Sequence, residues 1–277
     1  MKKRISITTI FILLILTVLL LLVLLPIYWT IIMSFDRDVV LTVPDPPRFY
    51  PKRPSLFNYQ MAAQAVPIGQ LYVNTLIVTT IYTFISVISS LSCAYAFAKG
   101  KFAFKRFWFM FILAVMMIPF ESRMLPLFLQ YKTWGMLDTW WPLIFGSLAW
   151  PYGIFLAKQF VDAIPDSLRE AALIDGAPEI RIFLRIIVPL CGPIIATLII
   201  FQVVQQWNSF VWPLVVINKA SNQMISVGLA MFNVSETSRY LGPRLAIAML
   251  GLLPMLILFV FLQKYIVQSV MLYGVKE

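Results

Sequence analysis

The sequence predicts an all-α integral membrane protein, and three observations support this fold class. Of its 277 residues, 61% are hydrophobic and only 12% are charged, and the mean hydropathy is +0.87. Soluble domains carry about a quarter of their residues as Asp, Glu, Lys and Arg. The apolar residues form six long segments without the short alternation of a barrel strand. Helices are therefore expected, because a chain in lipid must satisfy its own backbone hydrogen bonds.

Each of the six segments is long enough to cross about 30 Å of hydrocarbon at about 1.5 Å per residue. They cover residues 5–33, 70–98, 107–129, 140–160, 189–217 and 244–262. The first follows a basic start but is about twice as long as a signal-peptide core, so it is interpreted as a retained helix. We predict a single transmembrane domain over residues 1–277. The proline-rich outer loop before the second span is expected to be extended.

The basic residues predict the orientation of these spans. An even number of spans places both termini on one side, and more than half of the 22 basic residues lie on that side. Residues 99–106 form a short loop with four of them, and short basic loops resist translocation most strongly. Both termini are therefore predicted to be cytoplasmic.

The composition also excludes several classes of function. The chain has no histidine, which removes Ser-His-Asp triads, His-ligated zinc and imidazole proton shuttles. We predict no catalytic residue and no metal ligand. The net charge is +10, but the basic residues occur in short clusters between apolar runs, so nucleic acid is not an expected partner.

Residues 161–188, on the predicted inner side, combine acidic residues with apolar residues at helical spacing. The segment holds five of the 12 acidic residues: Asp162, Asp166, Glu170, Asp175 and Glu179. Pro165 suits the first turn of a helix, Gly176 a stop, and Pro178 the start of a second helix. The second helix is expected to end before Pro189. This helix-turn-helix suits docking of a soluble partner, and a lipid-bound amphipathic helix is the alternative.

A motif in this segment resembles the EAA motif of permease subunits in binding-protein-dependent ABC importers. The matching positions are Glu170, Ala171, Ala172, Gly176, Ile186 and Pro189, and Val188 stands where the family has leucine. Further pairs look like the carbohydrate-importing branch: Asn74-Thr75, Trp207-Asn208, Trp212-Pro213 and Lys264-Tyr265. Within that branch, the chain is similar to the six-helix maltose-permease subunit.

The resemblance implies that ATP is hydrolysed by another chain. In the family, the EAA segment is a coupling helix that sits in a cleft of a cytoplasmic ATPase dimer. Carried over to this chain, that contact involves Glu170, Ala171, Ala172, Asp175, Gly176 and Ala177. The sequence has no G-x-x-x-x-G-K-[ST] phosphate loop, so ATP and Mg are expected on the ATPase and no cofactor on this chain. The tail, residues 268–277, is implied to reach between the ATPase subunits.

The resemblance implies further partners and a location. These are a second permease subunit, an extracytoplasmic solute-binding protein, the lipid bilayer and a carbohydrate substrate. The outer loop of residues 218–243 is expected to contact the binding protein, and an ordinary solvated loop is the alternative. The expected location is a prokaryotic inner membrane, where the complex passes an oligosaccharide inward by alternating access.

Polar side chains inside two predicted spans are candidates for the transport path, because polar groups are costly in lipid. Glu121 follows Pro119, where the third span is expected to break. Gln205, Trp207 and Asn208 lie in the fifth span, and amides beside an aromatic face suit the hydroxyls and C–H surfaces of a sugar. The alternatives are a helix end at the outer interface for Glu121 and hydrogen bonds between helices for the amide cluster.

Two rival functions remain open at the level of the sequence. The first is the same importer with another cargo, such as glycerol phosphate, an amino acid or a peptide. The second is a membrane scaffold or channel outside the ABC class, in which residues 161–188 rest on lipid.

Overall fold

The computed structural model describes residues 7–39, 44–232 and 235–274, and this part of the chain is almost entirely helical. Within these ranges no β-strand is formed, and Asp36 and Pro54 make an isolated antiparallel bridge. The predicted all-α fold class is confirmed.

Fourteen α-helices follow one another along the described chain. They are α1 (Ile7–Ser34), α2 (Phe57–Ala65), α3 (Ile68–Lys99), α4 (Lys105–Val115), α5 (Phe120–Thr133), α6 (Trp141–Phe145), α7 (Pro151–Asp162), α8 (Asp166–Ile174), α9 (Glu179–Ile182), α10 (Val188–Leu190), α11 (Gly192–Trp207), α12 (Val211–Val216), α13 (Ile225–Phe232) and α14 (Leu241–Gly274). Short 3-10 helices cover Gly146–Leu148, Ala220–Asn222 and Glu236–Arg239, and a π-helical turn covers Phe183–Ile187.

By length and composition, three of the described helices could each cross a membrane on their own. They are α1, α3 and α14. Two bent pairs raise this number to five if each pair is one span: α4 with α5, at an angle of 93°, and the helical stretch Glu179–Leu190 with α11, at 79°.

The first bend lies where the sequence places a break. Pro119 precedes α5 with an extended backbone at ψ 144. Proline disfavours a helical conformation in the residue before it and has no N–H to donate. The second bend has Cys191 between α10 and α11, and Pro193 occupies the first turn of α11, where its missing N–H costs nothing.

The count of six spans stays a prediction. Residues 140–160 contain α6, a 3-10 turn and α7, so this predicted span is divided into two helices. The predicted first span begins at residue 5, before the described part of the chain. The predicted tail contact at residues 268–277 extends beyond the described residues, which end at 274.

The chain folds into two compact units. The small unit comprises residues 1–68 and 228–254, and the large unit comprises residues 69–227 and 255–277. The small unit contains the proline-rich loop, which is irregular over residues 44–56 and then forms α2. The fully buried Asp36 organises this loop by accepting backbone N–H bonds from Asp38 (3.0 Å), Lys52 (2.9 Å) and Arg53 (3.3 Å).

The large unit has a buried apolar cluster that positions residues 161–188. The cluster includes Leu91 and Ala94 of α3, Val161 of α7, and Leu198 of α11. From the segment itself, Ala172, Ile182, Phe183 and Ile187 enter the same cluster. The segment is therefore packed against the ends of three longer helices, with only part of its surface buried.

Candidate functional site

The first helix of the 161–188 segment, α8, starts next to Pro165, as the sequence predicts. Pro165 has an extended backbone (ψ 133) directly before α8, and Asp166 is the acidic residue in the first turn. A carboxylate there interacts favourably with the positive end of the helix dipole. The helix is amphipathic, and Ala172 is its one buried residue.

Gly176 ends α8 in a left-handed conformation, with φ +76. The N–H of Gly176 donates to the carbonyl of Leu173 at 3.0 Å, and the N–H of Ala177 donates to the carbonyl of Ala172 at 2.9 Å. This pair of bonds is the Schellman motif. A residue with a Cβ would be sterically strained in this conformation, so the local backbone explains why this position of the motif is a glycine.

The second helix starts after Pro178 and continues further than predicted. Helical structure runs from Glu179 through a π-helical turn to Leu190, so the expectation that it ends before Pro189 is wrong. The N–H of Val188 donates to the carbonyl of Phe183, five residues earlier. Proline has no N–H for a regular helical bond, and the wider turn before Pro189 carries the helix past it.

Most of the EAA residues are exposed at this turn. Glu170, Ala171, Asp175 and Gly176 are exposed, whereas Ala177 is half-buried. Ala172 is buried, so it supports the turn from below. Ile174, beside these residues, is 87% exposed, so the turn carries a large apolar side chain at its surface. The turn thus presents small and apolar groups together with two carboxylates.

Three polar side chains join the two helices of the segment to α3. Arg169 of α8 pairs with Glu179 of α9. The hydroxyl of Tyr95, in α3, donates to Oε2 of Glu179 at 2.5 Å. The hydrogen bonds from Arg169 and then Tyr95 hold the pKa of Glu179 below its ordinary value of 4.5.

A second polar contact joins α3 to the start of α8. Nζ of Lys99 lies 2.7 Å from Oδ1 of Asp166 and donates to the carbonyl of Ile164 at 2.6 Å. The Lys99 side chain is only 6% exposed. Its hydrogen bond and charge lower the pKa of Asp166. Tyr95, Lys99, Arg169 and Glu179 were not predicted as a group, although the four-residue spacing of Tyr95 and Lys99 places them on one face of a helix.

The candidate transport-path residues lie at helix ends. Glu121 is exposed in the first turn of α5, beyond the Pro119 break. Gln205 and Asn208 are exposed at the end of α11, where the Asn208 amide donates to the carbonyl of Val204 at 2.8 Å. Trp207 is only 4% exposed and packs against Tyr72, with ring centroids 6.0 Å apart. Hydrogen bonds within the described residues do not link Glu121 to the amides of α11.

A second polar group, on α3, holds the chain of residues 221–225. The buried Asn74 donates to the carbonyls of Ser221 (2.8 Å) and Gln223 (3.0 Å). The hydroxyl of Thr75 accepts the backbone N–H of Ile225 at 2.8 Å. The Asn74-Thr75 pair, which resembles the carbohydrate-importing branch, therefore fixes the start of the predicted binding-protein loop to α3.

One buried amide of α11 also contacts α3. Nε2 of Gln202 donates to the hydroxyl of Ser86 at 2.9 Å, and both residues are fully buried. This contact joins two helices through a buried polar pair. Across residues 7–39, 44–232 and 235–274, no group of three or more His, Cys, Asp or Glu side chains is placed to hold a metal ion.

Comparison with known proteins adds a family match. The model of the family described as "binding-protein-dependent transport system inner membrane component" matches residues 86–272. The chain is 33% identical over 203 residues to the arabinooligosaccharides transport system permease protein AraQ of Halalkalibacterium halodurans, covering 73% of this chain and 72% of AraQ.

Two further relatives and one solved structure are similar. Identity is 32% to the melibiose/raffinose/stachyose import permease protein MelC of Bacillus subtilis, over 79% of this chain and 80% of MelC. The chain is also 32% identical to the probable starch degradation products transport system permease protein AmyC of Thermoanaerobacterium thermosulfurigenes, over 82% of this chain and 83% of AmyC. A crystal structure of a bacterial ABC transporter involved in the import of the acidic polysaccharide alginate matches with a TM-score of 0.83. That match covers 96% of this chain and 98% of the other at 23% identity, a likeness of fold.

Proposed function

This chain belongs to the family of inner membrane components of binding-protein-dependent transport systems, and from that premise we propose that it passes a carbohydrate, in particular an oligosaccharide, into the cytoplasm. The chain is a transporter subunit and not itself an enzyme. Transport by alternating access requires a partner that hydrolyses ATP, and the proposal places ATP and Mg on that partner.

The exposed turn of the 161–188 segment carries the proposal for coupling to the ATPase. Glu170, Ala171, Ala172, Asp175, Gly176 and Ala177 are the proposed contact residues. The exposed alanine and glycine allow close approach, and Ile174 offers an apolar anchor. The carboxylates of Glu170 and Asp175 suit a cleft with basic residues. Because Ala172 is buried, it holds the exposed residues of the turn in a fixed arrangement.

The proposed complex contains a second permease subunit, an ATPase dimer and an extracytoplasmic binding protein, all in or at a prokaryotic cell membrane. Both termini are proposed to be cytoplasmic, because the basic loop of residues 99–106 is then cytoplasmic as well. The loop of residues 218–243 is the proposed contact with the binding protein.

A carbohydrate cargo is supported by the named cargoes of three relatives, which are arabinooligosaccharides, melibiose-type sugars and starch degradation products. The exposed Glu121, Gln205 and Asn208 are proposed to line the path. Trp207 is proposed to support it, because its ring, at the end of the helix that carries Gln205, is buried against Tyr72.

Substitution of the exposed turn tests the coupling proposal. The variants Glu170→Lys and Gly176→Pro are expressed as tagged chains in the native host, and the purified complex is examined for its ATPase subunit. We expect association and uptake to fall about tenfold or more, because like charges or a distorted turn at the contact cost several kcal/mol. Asp45→Lys makes the same kind of charge change on an exposed carboxylate elsewhere and should leave both measurements intact.

Uptake measurements with labelled solutes test the cargo. Cells carrying the wild-type chain are expected to take up arabinotriose, melibiose or maltotriose, and cells lacking the chain are not. Glycerol 3-phosphate, an amino acid mixture and a dipeptide serve as competitors. Uptake that responds to one of these competitors and to none of the sugars would overturn the carbohydrate assignment. Retention of the ATPase by both turn variants would overturn the coupling contact.

A further inference from the structure

The last two turns of α3 carry two polar side chains on one face. Tyr95 and Lys99 are four residues apart, so they lie one above the other on the helix surface. Tyr95 contacts Glu179 at the start of α9, and Lys99 contacts Asp166 at the start of α8. One helix end therefore binds both helices of the segment.

The contacts close into a ring through a third pair. Arg169 of α8 is bound to Glu179, the same carboxylate that accepts the Tyr95 hydroxyl. We name the five residues Tyr95, Lys99, Asp166, Arg169 and Glu179 the α3 clamp. Since each helix is bound to the other two, a displacement of α8 or α9 along the membrane surface breaks at least one charge-assisted bond.

Apolar packing below the α3 clamp fixes the distance between the helices but not their register. The ring centroids of Phe183 and Tyr95 lie 5.3 Å apart. Ala94 and Ile182 are fully buried in the same apolar cluster as Phe183. The hydrophobic effect is not directional, so this packing holds the helices together without selecting which polar groups pair. The hydrogen bonds of the clamp are directional, so they decide whether α3 follows the segment.

We infer that the α3 clamp makes α3 a positioning element that moves together with the α8–α9 turn and passes the movement of the ATPase into the membrane. This inference rests on the proposed function, in which the same turn docks on an ATPase. Tyr95 and Lys99 contact no ATPase in this scheme. They act only through Glu179 and Asp166.

The test separates docking from transmission. The double variant Tyr95→Phe with Lys99→Met is expressed as the tagged full chain in the native host, and three quantities are measured: ATPase association, ATP hydrolysis and maltotriose or arabinotriose uptake. We expect association to stay within about twofold of wild type. Uptake per ATP hydrolysed should fall about tenfold, the change in population that loss of a charge-assisted hydrogen bond produces.

Matched substitutions and a charge exchange act as controls. The control variants are Tyr152→Phe, which removes an exposed hydroxyl, and Lys101→Met, which removes an exposed ammonium. Neither group binds a partner in the described part of the chain, so both variants should keep the wild-type uptake per ATP hydrolysed. The exchange of Lys99→Asp with Asp166→Lys should recover part of the uptake lost by Lys99→Asp alone. A purely structural role would reduce association and uptake together.

Each outcome decides one of the two claims. If the wild-type complex transports and the double variant has the same uptake per ATP hydrolysed, the inferred role of the α3 clamp is wrong. The proposed docking on the ATPase is not affected by this result. A wild-type complex that contains no ATPase subunit overturns the proposed function itself. Faster hydrogen exchange of the α8 amides in the purified double variant supports the clamp, and unchanged exchange contradicts it.

Discussion

Two carboxylates show how differently the two compact units use the same chemistry. Asp36 in the small unit is fully buried, and three backbone N–H groups bind it. Burial alone would raise the pKa of Asp36, but these hydrogen bonds and the charge of Arg48 hold it below its ordinary value. Glu179 in the large unit is 48% exposed, and it is bound by the side chains of Arg169 and Tyr95.

The difference lies in the donors. Backbone N–H groups are fixed by the path of the chain, so the loop around Asp36 can loosen only if it unfolds. Side-chain donors can change rotamer, and an exposed carboxylate can exchange them for water at modest cost. The Asp36 site is thus a permanent structural centre, whereas the contacts of Glu179 can break and re-form, as a moving part requires.

Removal of Asp36 should destabilise the protein most. In Asp36→Ala, three backbone donors and Arg48 lose their acceptor, so we expect a loss of about 3–5 kcal/mol in the free energy of unfolding. The midpoint of unfolding in detergent measures it. Asp38→Ala removes a partly exposed carboxylate that lies 3.6 Å from Arg53, and should cost below about 1 kcal/mol. Equal losses in both variants would contradict the assignment of Asp36 as the centre of the loop.

Crowding of the same loop should have the next largest effect. A Cβ at Gly242 would lie 2.3 Å from Oδ1 of Asn58 and 2.4 Å from the carbonyl of Val39. Asn58 is buried and donates to the carbonyls of Ser34 and Asp36, so it cannot move freely. Gly242→Ala is therefore expected to cost about 1–3 kcal/mol.

Unfolding in detergent again measures the crowding effect, with Gly192→Ala for comparison. A Cβ at Gly192 meets no atom within 4 Å, so that variant should be neutral or slightly stabilising. If Gly242→Ala is as stable as Gly192→Ala, the loop around Asn58 can shift to make room for the methyl group and is not rigid.

In the large unit, Gly176→Ala should have a smaller effect. A Cβ there meets no atom within 4 Å, so the expected cost is backbone strain alone, about 1 kcal/mol, because φ is +76. Gly69→Ala adds the same methyl group to a helix without a left-handed backbone and is the control. Hydrogen-exchange protection of the α8 amides should fall only in Gly176→Ala; equal protection in both variants would refute the capping role.

The smallest effect is the pH dependence of the Glu179 contacts. Because the folded-state pKa of Glu179 is lowered, its contribution to stability is present above the unfolded value of 4.5 and is lost as the pH falls through the lower folded value. The stability difference between wild type and Glu179→Gln should therefore be larger at about pH 7 than at about pH 3. Unfolding midpoints at both pH values measure it, and a difference independent of pH would contradict the ionic role.

Local signals made part of this site predictable. Pro165, Gly176 and Pro178 act on the backbone within one or two residues, so the helix-turn-helix could be derived from the sequence, as could the break at Pro119. The α3 clamp could not, because Tyr95 and Glu179 are 84 residues apart and only the packed helices bring them together. The burial of Trp207 depends likewise on Tyr72, a residue of another helix.

The π-helical turn at Phe183–Ile187 changes how insertions and deletions act on this segment. Ile182 and Ile187 are both almost fully buried although they are five residues apart, a spacing that a regular helix with about 100° per residue would turn to different sides. The wider turn absorbs one residue and restores the common face. Deletion of a single residue within 183–187 would therefore leave a regular helix whose two ends keep their alignment, whereas deletion of a second residue would rotate the EAA turn by about 100° relative to Pro189. This short stretch can therefore lose one residue, but not two, without turning the EAA residues away from the face that they now occupy.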